Sequence, residues 1–149
     1  LDNVRSALNV GSVFRTADAF ALAHVYLCGI TATPPSRDIM KTAIGADQTV
    51  AWTHHQSTLE LVNELKDEGY EIYAVEQTDQ PIFLQDFKVA KEGNKVAVIM
   101  GNEVTGVDQS VLDACDGAIE VPQFGTKHSL NVSVCTGVVI WEIVRQLRF

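Results

Sequence analysis

Positive charge is scarce in this chain: 11 lysines and arginines stand against 19 acidic residues, a formal net charge of -8. That balance excludes a domain that grips nucleic acid by bulk attraction, because such binding rests on Lys and Arg releasing counterions from phosphate. Any RNA-binding face must therefore be local. Long apolar runs are missing as well. Nothing approaches the roughly 18 to 20 residues needed to cross a bilayer, and no basic segment followed by a small-residue cleavage site opens the chain. No membrane contact is expected, and the expectation is a soluble, intracellular protein of the cytoplasm. The chain starts at Leu1 without a methionine, as after trimming of a leader or a flexible end.

Cysteine is limited to Cys28, Cys115 and Cys135, an odd number at wide spacing with no paired Cys or His at metal-ligand distance. Reduced, buried thiols are expected. His54-His55 lack the companions of a zinc site and read as surface residues, so no metal is expected. A G-x-G-x-x-G fingerprint, a Gly-Lys-Ser/Thr loop and a G-x-S-x-G elbow are all absent, which argues against a nicotinamide oxidoreductase, a phosphate-loop enzyme and a serine hydrolase. There is no internal repeat, low-complexity tract or linker. What remains, 149 residues with 46% hydrophobic content, is ample for one cored domain and too little for two, so residues 1–149 are expected as a single domain.

Val10, Val13, Phe14, Ala17, Phe20 and Ala21 recur at helical spacing over Asn9–Ala21, with Ser12, Arg15, Thr16 and Asp18 on the other face. Asn9 stands where Asn is a favoured cap. His24–Cys28 reads as a strand ended by Gly29, and Thr33-Pro-Pro-Ser36 as a turn whose Ser36 caps a short helix over Asp38–Ala43. Val50–Trp52 is a short strand. Ser57-Thr-Leu-Glu60 is a capping box opening a helix that Gly69 stops. Glu71–Val75 follows as a strand, then a polar loop through Pro81 and a poorly defined stretch to Asn94. Lys95–Met100 is a buried strand, Asp108 caps a helix to Ala114, Ala118–Val121 is the last strand and Ser129–Leu147 the last helix. Strands alternating with helices predict an α/β domain with a mostly parallel sheet flanked by helices.

Ligands of such sheets bind in loops beyond the carboxyl ends of the strands, here after Val75, Met100 and Val121. Gly101-Asn-Glu-Val-Thr-Gly106 leaves a buried strand, where glycine permits close backbone approach. Taken alone, Gly101 and Gly106 read first as turn formers, but Glu103 between them is a carboxylate in tight backbone, suited to holding a cation or an amide. Pro122 makes a rigid strand exit, and Lys127 and His128 are a solvated pair as readily as a phosphate contact. His128-Ser-Leu-Asn-Val-Ser-Val134 alternates polar and apolar residues before a helical tail, so Ser129 and Asn131 break an otherwise oily element.

Three ordered segments, Asn9-Val-Gly-Ser-Val-Phe-Arg15-Thr-Ala-Asp-Ala-Phe20, Met100-Gly-Asn-Glu-Val-Thr-Gly106, and Val121-Pro through Ser129-Leu-Asn-Val-Ser-Val134, resemble the signature motifs of the TrmH/SpoU family of the SPOUT methyltransferases. Lys41-Thr-Ala-Ile-Gly45-Ala also looks like a family segment. Each is weak alone, but together they span nearly the whole chain. The resemblance implies a parallel sheet with a C-terminal deep trefoil knot, a homodimer with the active site near its interface, and transfer of methyl from S-adenosylmethionine to a ribose 2′-hydroxyl of tRNA or, second, rRNA, leaving S-adenosylhomocysteine. Catalysis without metal by Asn9, Arg15, Glu103, Ser129 and Asn131 is implied. Glu76, Met100, Gly101, Asn102, Val121, Pro122, Ser129 and Leu130 would surround the cofactor. Arg5, Arg15, Arg37, Lys41 and Lys127 are the cations available to hold RNA. Base methylation by the same fold, and a knotted RNA-binding module without turnover, are the alternatives. Two departures from the family pattern stand out: Ala21 and Val104 occupy positions where relatives often carry glycine. Leu130, Val134, Val138, Val139, Trp141, Ile143 and Val144 make the last helix apolar on more than one face, as expected of one that meets both its own sheet and a partner.

Overall fold

The computed structural model describes residues 1–90 and 93–149. The first helix, α1 (Ala7–Ala19), begins two residues before the expected Asn9 because Ser6, not Asn9, is its cap: the Ser6 hydroxyl accepts from the Asn9 backbone N–H. Strand β1 (Val25–Cys28) follows, then α2 (Arg37–Ala43), capped by Ser36 as expected, and a one-turn helix α3 (Ala46–Thr49) too short to show periodicity. Strand β2 (Trp52–His55) lies beyond the expected Val50–Trp52, since Val50 is buried against α1 while Trp52 pairs with Val25 of β1. Helix α4 (Thr58–Asp67) carries the Ser57 cap, whose hydroxyl accepts from the Glu60 N–H, and Gly69 follows it at φ +87°.

The second half contributes β3 (Tyr70–Val75), a two-residue strand β4 (Ile82–Phe83) within the stretch that showed no pattern, β5 (Lys95–Met100), α5 (Gln109–Ala114), β6 (Gly117–Glu120) and α6 (Val132–Arg148). Lys91 and Glu92 of that stretch lie outside the described residues. Asp108 holds the cap position of α5 without a side-chain bond to it. Helix α6 starts three residues later than expected, because the Asn131 side chain accepts from the N–H groups of Ser133 and Val134 and so caps it; Ser129 stays in the preceding loop.

All strand pairs are parallel: β1 with β2, and β4, β6, β3 and β5 in that order. The two sheets are stitched by the first residues of the chain, an arrangement without a local sequence pattern. Asp2 donates its N–H to Met100 O at 2.8 Å, while Leu1 and Asn3 bond the Cys28 backbone on the other side. Strand alternation then sorts the core. Ile72 and Ala74 of β3 face α4 and α5, whereas Tyr73 and Val75 face α6, where Ile119 meets Val139 and Ile143. A third cluster gathers Val10, Phe14, Leu27 and Ile39 between α1, β1 and α2. Of the three free thiols only Cys28 is buried; Cys115 and Cys135 are half-buried at element ends. Among the described residues no helix is long and apolar enough to cross a membrane.

Candidate active site

Because β3, β5 and β6 are parallel neighbours, the loops after Val75, Met100 and Glu120 emerge at one end of the sheet. Between them lies a cavity of about 420 Å³, with Val75, Ile119, Val121, Leu130 and Val132 as apolar wall and Glu76, Glu103 and Glu120 as acidic lining. Two glycines let the backbone close on it. Gly101 packs so tightly that an added Cβ would sit 2.5 Å from the Gly106 carbonyl carbon, and at Gly106, φ +71°, it would strike the Glu76 carboxylate.

Glu103 answers the question its position raised: it holds amides. Its Oε2 accepts from the Arg5 N–H at 2.8 Å and its Oε1 from the Ser6 N–H at 3.0 Å and the Asn9 Nδ2 at 3.2 Å. Burial alone would push this carboxyl up, but the donors, led by the Arg5 and Ser6 amides, hold it below its ordinary value. Asn9 is thereby recruited from capping to bridging, and its Oδ1 accepts from the Asn131 Nδ2 at 3.1 Å. Asn102 reaches the other way: its Nδ2 donates to Asn3 O at 2.8 Å, and its Oδ1 accepts from the Val104 and Thr105 amides, shaping the turn that presents Glu103. Val104 itself is 75% exposed, so its side chain rides over this turn without distorting it.

Of the residues singled out from sequence, Glu76, Met100, Gly101, Asn102, Glu103, Val121, Ser129, Leu130 and Asn131 all line the cavity. Asn9 joins them through Glu103 and Asn131. Pro122 does not line it. Arg5 reaches the site by its backbone only, and its side chain is exposed. Arg15 lies six residues beyond Asn9, about 9 Å along the axis and turned by about 240°, so it is exposed and away from this cavity. Arg37, Lys41 and Lys127 are also exposed and do not line it, with Lys41 paired to Asp38 at 2.9 Å and Lys127 next in the chain to the lining residue His128.

The match to the model of the SpoU rRNA methylase family extends over residues 1–141. This chain belongs to the SpoU rRNA methylase family. Relatives include a protein of Borreliella burgdorferi described as an uncharacterized tRNA/rRNA methyltransferase, 33% identical over 99% of this chain and 63% of its own length. Another is the tRNA (guanosine(18)-2'-O)-methyltransferase of Thermus thermophilus, 31% identical over 98% of this chain and 73% of its own. The AdoMet-bound rRNA methyltransferase of Sinorhizobium meliloti superposes with a TM-score of 0.91 at 25% identity, covering all of this chain and 56% of that one. The chain thus spans less than two thirds of the length of the first and third of these.

Several lining residues of this SpoU-family chain escaped the sequence reading, Gln77, Glu120, Gln123 and Cys135, and His128, read as a solvated residue or a phosphate contact, lines the cavity as well. Their shared signal is place alone, at or just after strand ends or at the foot of α6. His128 carries a further mark, φ +51°, a left-handed state uncommon for a non-glycine residue.

Proposed function

We propose that this chain is an S-adenosylmethionine-dependent methyltransferase acting on a ribose 2′-hydroxyl of RNA, tRNA before rRNA. The observation that carries the reading is the bonded set Glu103–Asn9–Asn131 at the mouth of a cavity built from three strand-end loops. The names of the relatives support it. S-adenosylmethionine, when bound, supplies an electrophilic methyl on a sulfonium. The residues present suit it: the volume falls in the range of small-molecule sites, about 300–1,000 Å³, apolar walls suit an adenine, and three carboxylates suit a cation. The same match supports a C-terminal knot, a single methyltransferase domain over residues 1–149 and a location in the cytoplasm.

Moving a methyl to a weakly acidic alcohol requires reactants held in line and negative charge stabilised as it forms on oxygen. Gly101 and Gly106 admit ligand against bare backbone. Glu103, through Asn9 and Asn131, fixes where Ser129 and Leu130 turn toward the ligand. Arg15 clamps an RNA phosphate and the nascent alkoxide; a guanidinium stays protonated in proteins and so does not itself take the proton. Its place away from the cavity of its own chain suits a homodimer in which the two protomers bring Arg15 and a cavity together. The stripe Val134, Val138 and Trp141 on α6, each more than 40% exposed, is the apolar face for that contact. Arg5, Arg37, Lys41 and Lys127 provide local positive potential for RNA on an acidic protein.

Nucleoside mass spectrometry of RNA from a strain lacking the gene is expected to show loss of one 2′-O-methylnucleoside, restored by the wild-type gene and not by Arg15→Ala. Losing one such electrostatic donor reduces rate by roughly two to three powers of ten. A missing mark on a base would refute the ribose assignment, and failure to bind S-adenosylhomocysteine would favour a silent RNA-binding module. Val138→Asp is expected to yield monomers in sedimentation, with activity lost alongside.

A further inference from the structure

The dipeptide Glu76–Gln77, directly after β3, reaches both of the other loops that frame the cavity. The Glu76 carboxylate is engaged at each oxygen: Oε2 accepts from the Val107 N–H at 3.0 Å and Oε1 from the Gln77 N–H at 2.8 Å. The Glu76 backbone N–H donates to Ile119 O at 3.1 Å, keeping the pair in line with β6. One residue on, the Gln77 Nε2 donates to the His128 carbonyl oxygen at 3.2 Å. Both contacts fall at tight points of the loops. Gly106, at φ +71°, leaves no room for a side chain against Glu76, and His128 sits at φ +51°, a left-handed state that a non-glycine residue keeps when its surroundings hold it there.

We infer that the side chains of Glu76 and Gln77 are positioning residues for the cofactor cavity, tying the Gly101–Val107 loop and the 121–131 loop to the end of β3 at the spacing the ligand needs. The inference rests on the cofactor reading above. Glu76 needs two acceptor oxygens for its two N–H donors. A glutamine there offers one, and turns an NH2 group toward the other donor. Gln77 needs a donor, because its partner is a carbonyl; a glutamate there would set like partial charges face to face.

The experiment combines calorimetric titration of S-adenosylhomocysteine, steady-state kinetics and residue-resolved hydrogen exchange on the wild type, Glu76→Gln, Gln77→Ala and Gln77→Glu. Glu76→Gln is expected to weaken S-adenosylhomocysteine about tenfold, the scale of a lost hydrogen bond to a charged group, and to raise KM for S-adenosylmethionine more than it lowers kcat. Exchange should quicken in residues 102–107 for Glu76→Gln and in 124–131 for the Gln77 variants, with α4 unchanged, and Gln77→Glu should bind more weakly than Gln77→Ala. Affinities within twofold of wild type, or exchange that rises evenly over the chain, would overturn the positioning role. If the wild type itself fails to bind S-adenosylhomocysteine, the cofactor reading falls, whereas the exchange pattern still decides whether the two side chains tether the loops.

Discussion

The side-chain amide of Asn131 donates to the side-chain oxygen of Asn9 at 3.1 Å, so that the starts of the first and last helices are joined across 122 positions of chain. Asn9 is both acceptor for Asn131 and donor to Glu103, a pairing that neither aspartate nor alanine reproduces. Asn9→Ala should cost about 1 kcal/mol in urea unfolding, the net worth of a typical hydrogen bond. Asn9→Asp should cost more, because it sets a second carboxylate beside Glu103 and removes the donor. Equal losses in the two variants would show that the amide matters only for its bulk.

Acid should loosen the same site. The folded state holds the Glu103 carboxyl below its ordinary value through the Arg5 and Ser6 amides and Asn9, against the opposing effect of burial. A carboxyl depressed on folding contributes stability that is fully present above its unfolded value and disappears as pH falls through the folded one. The stability difference between wild type and Glu103→Gln should therefore be constant at neutral pH and shrink below about 4.5. Urea unfolding of both proteins over that range is the measurement, and a difference that grows on acidification would contradict the assignment.

Ile44 ends α2 in the left-handed region at φ 51° and ψ 45° with its side chain 66% exposed. That conformation costs a side-chain-bearing residue roughly 1–2 kcal/mol, against about 0.4–1 kcal/mol for the added freedom of an unfolded glycine. Ile44→Gly should raise stability by up to about 1.6 kcal/mol, read as a higher Tm. Ile44→Ala, which keeps a Cβ, should give a smaller gain.

Gly11 should respond with the opposite sign. It is interior to α1, where alanine is intrinsically better by roughly 1 kcal/mol. A Cβ there, however, would land on Thr42 Oγ1 and the Ile39 carbonyl of α2, and the Thr42 hydroxyl already donates to Leu8 O at 2.7 Å. Gly11→Ala should destabilise by about 1–3 kcal/mol, as overpacking does, and should disturb the site, since α1 carries Asn9 on its first turn. A more stable Gly11→Ala would mean that the two helices separate freely.

Local chemistry was enough for elements whose signal is contained within them. The run Lys95–Met100 forms its strand, Ser57 and Gly69 bound their helix, and Gln109–Ala114 coils where expected, because propensity, capping and left-handed stops act within a few residues. Short pieces without a repeat, α3 and β4, left no pattern to read. Capping at Asn9 differs for another reason: an asparagine near a helix start is a good cap in isolation, but Ser6 caps α1 three residues earlier, and the Asn9 side chain instead bridges Glu103 and Asn131, 94 and 122 positions away. The ordered segments identified the family and most of the cavity lining. Only the parallel order β6-β3-β5 brought Gln77 to His128 and Glu76 to Val107. Side-chain partners distant in the chain are chosen by sheet order and helix packing, which local periodicity does not encode.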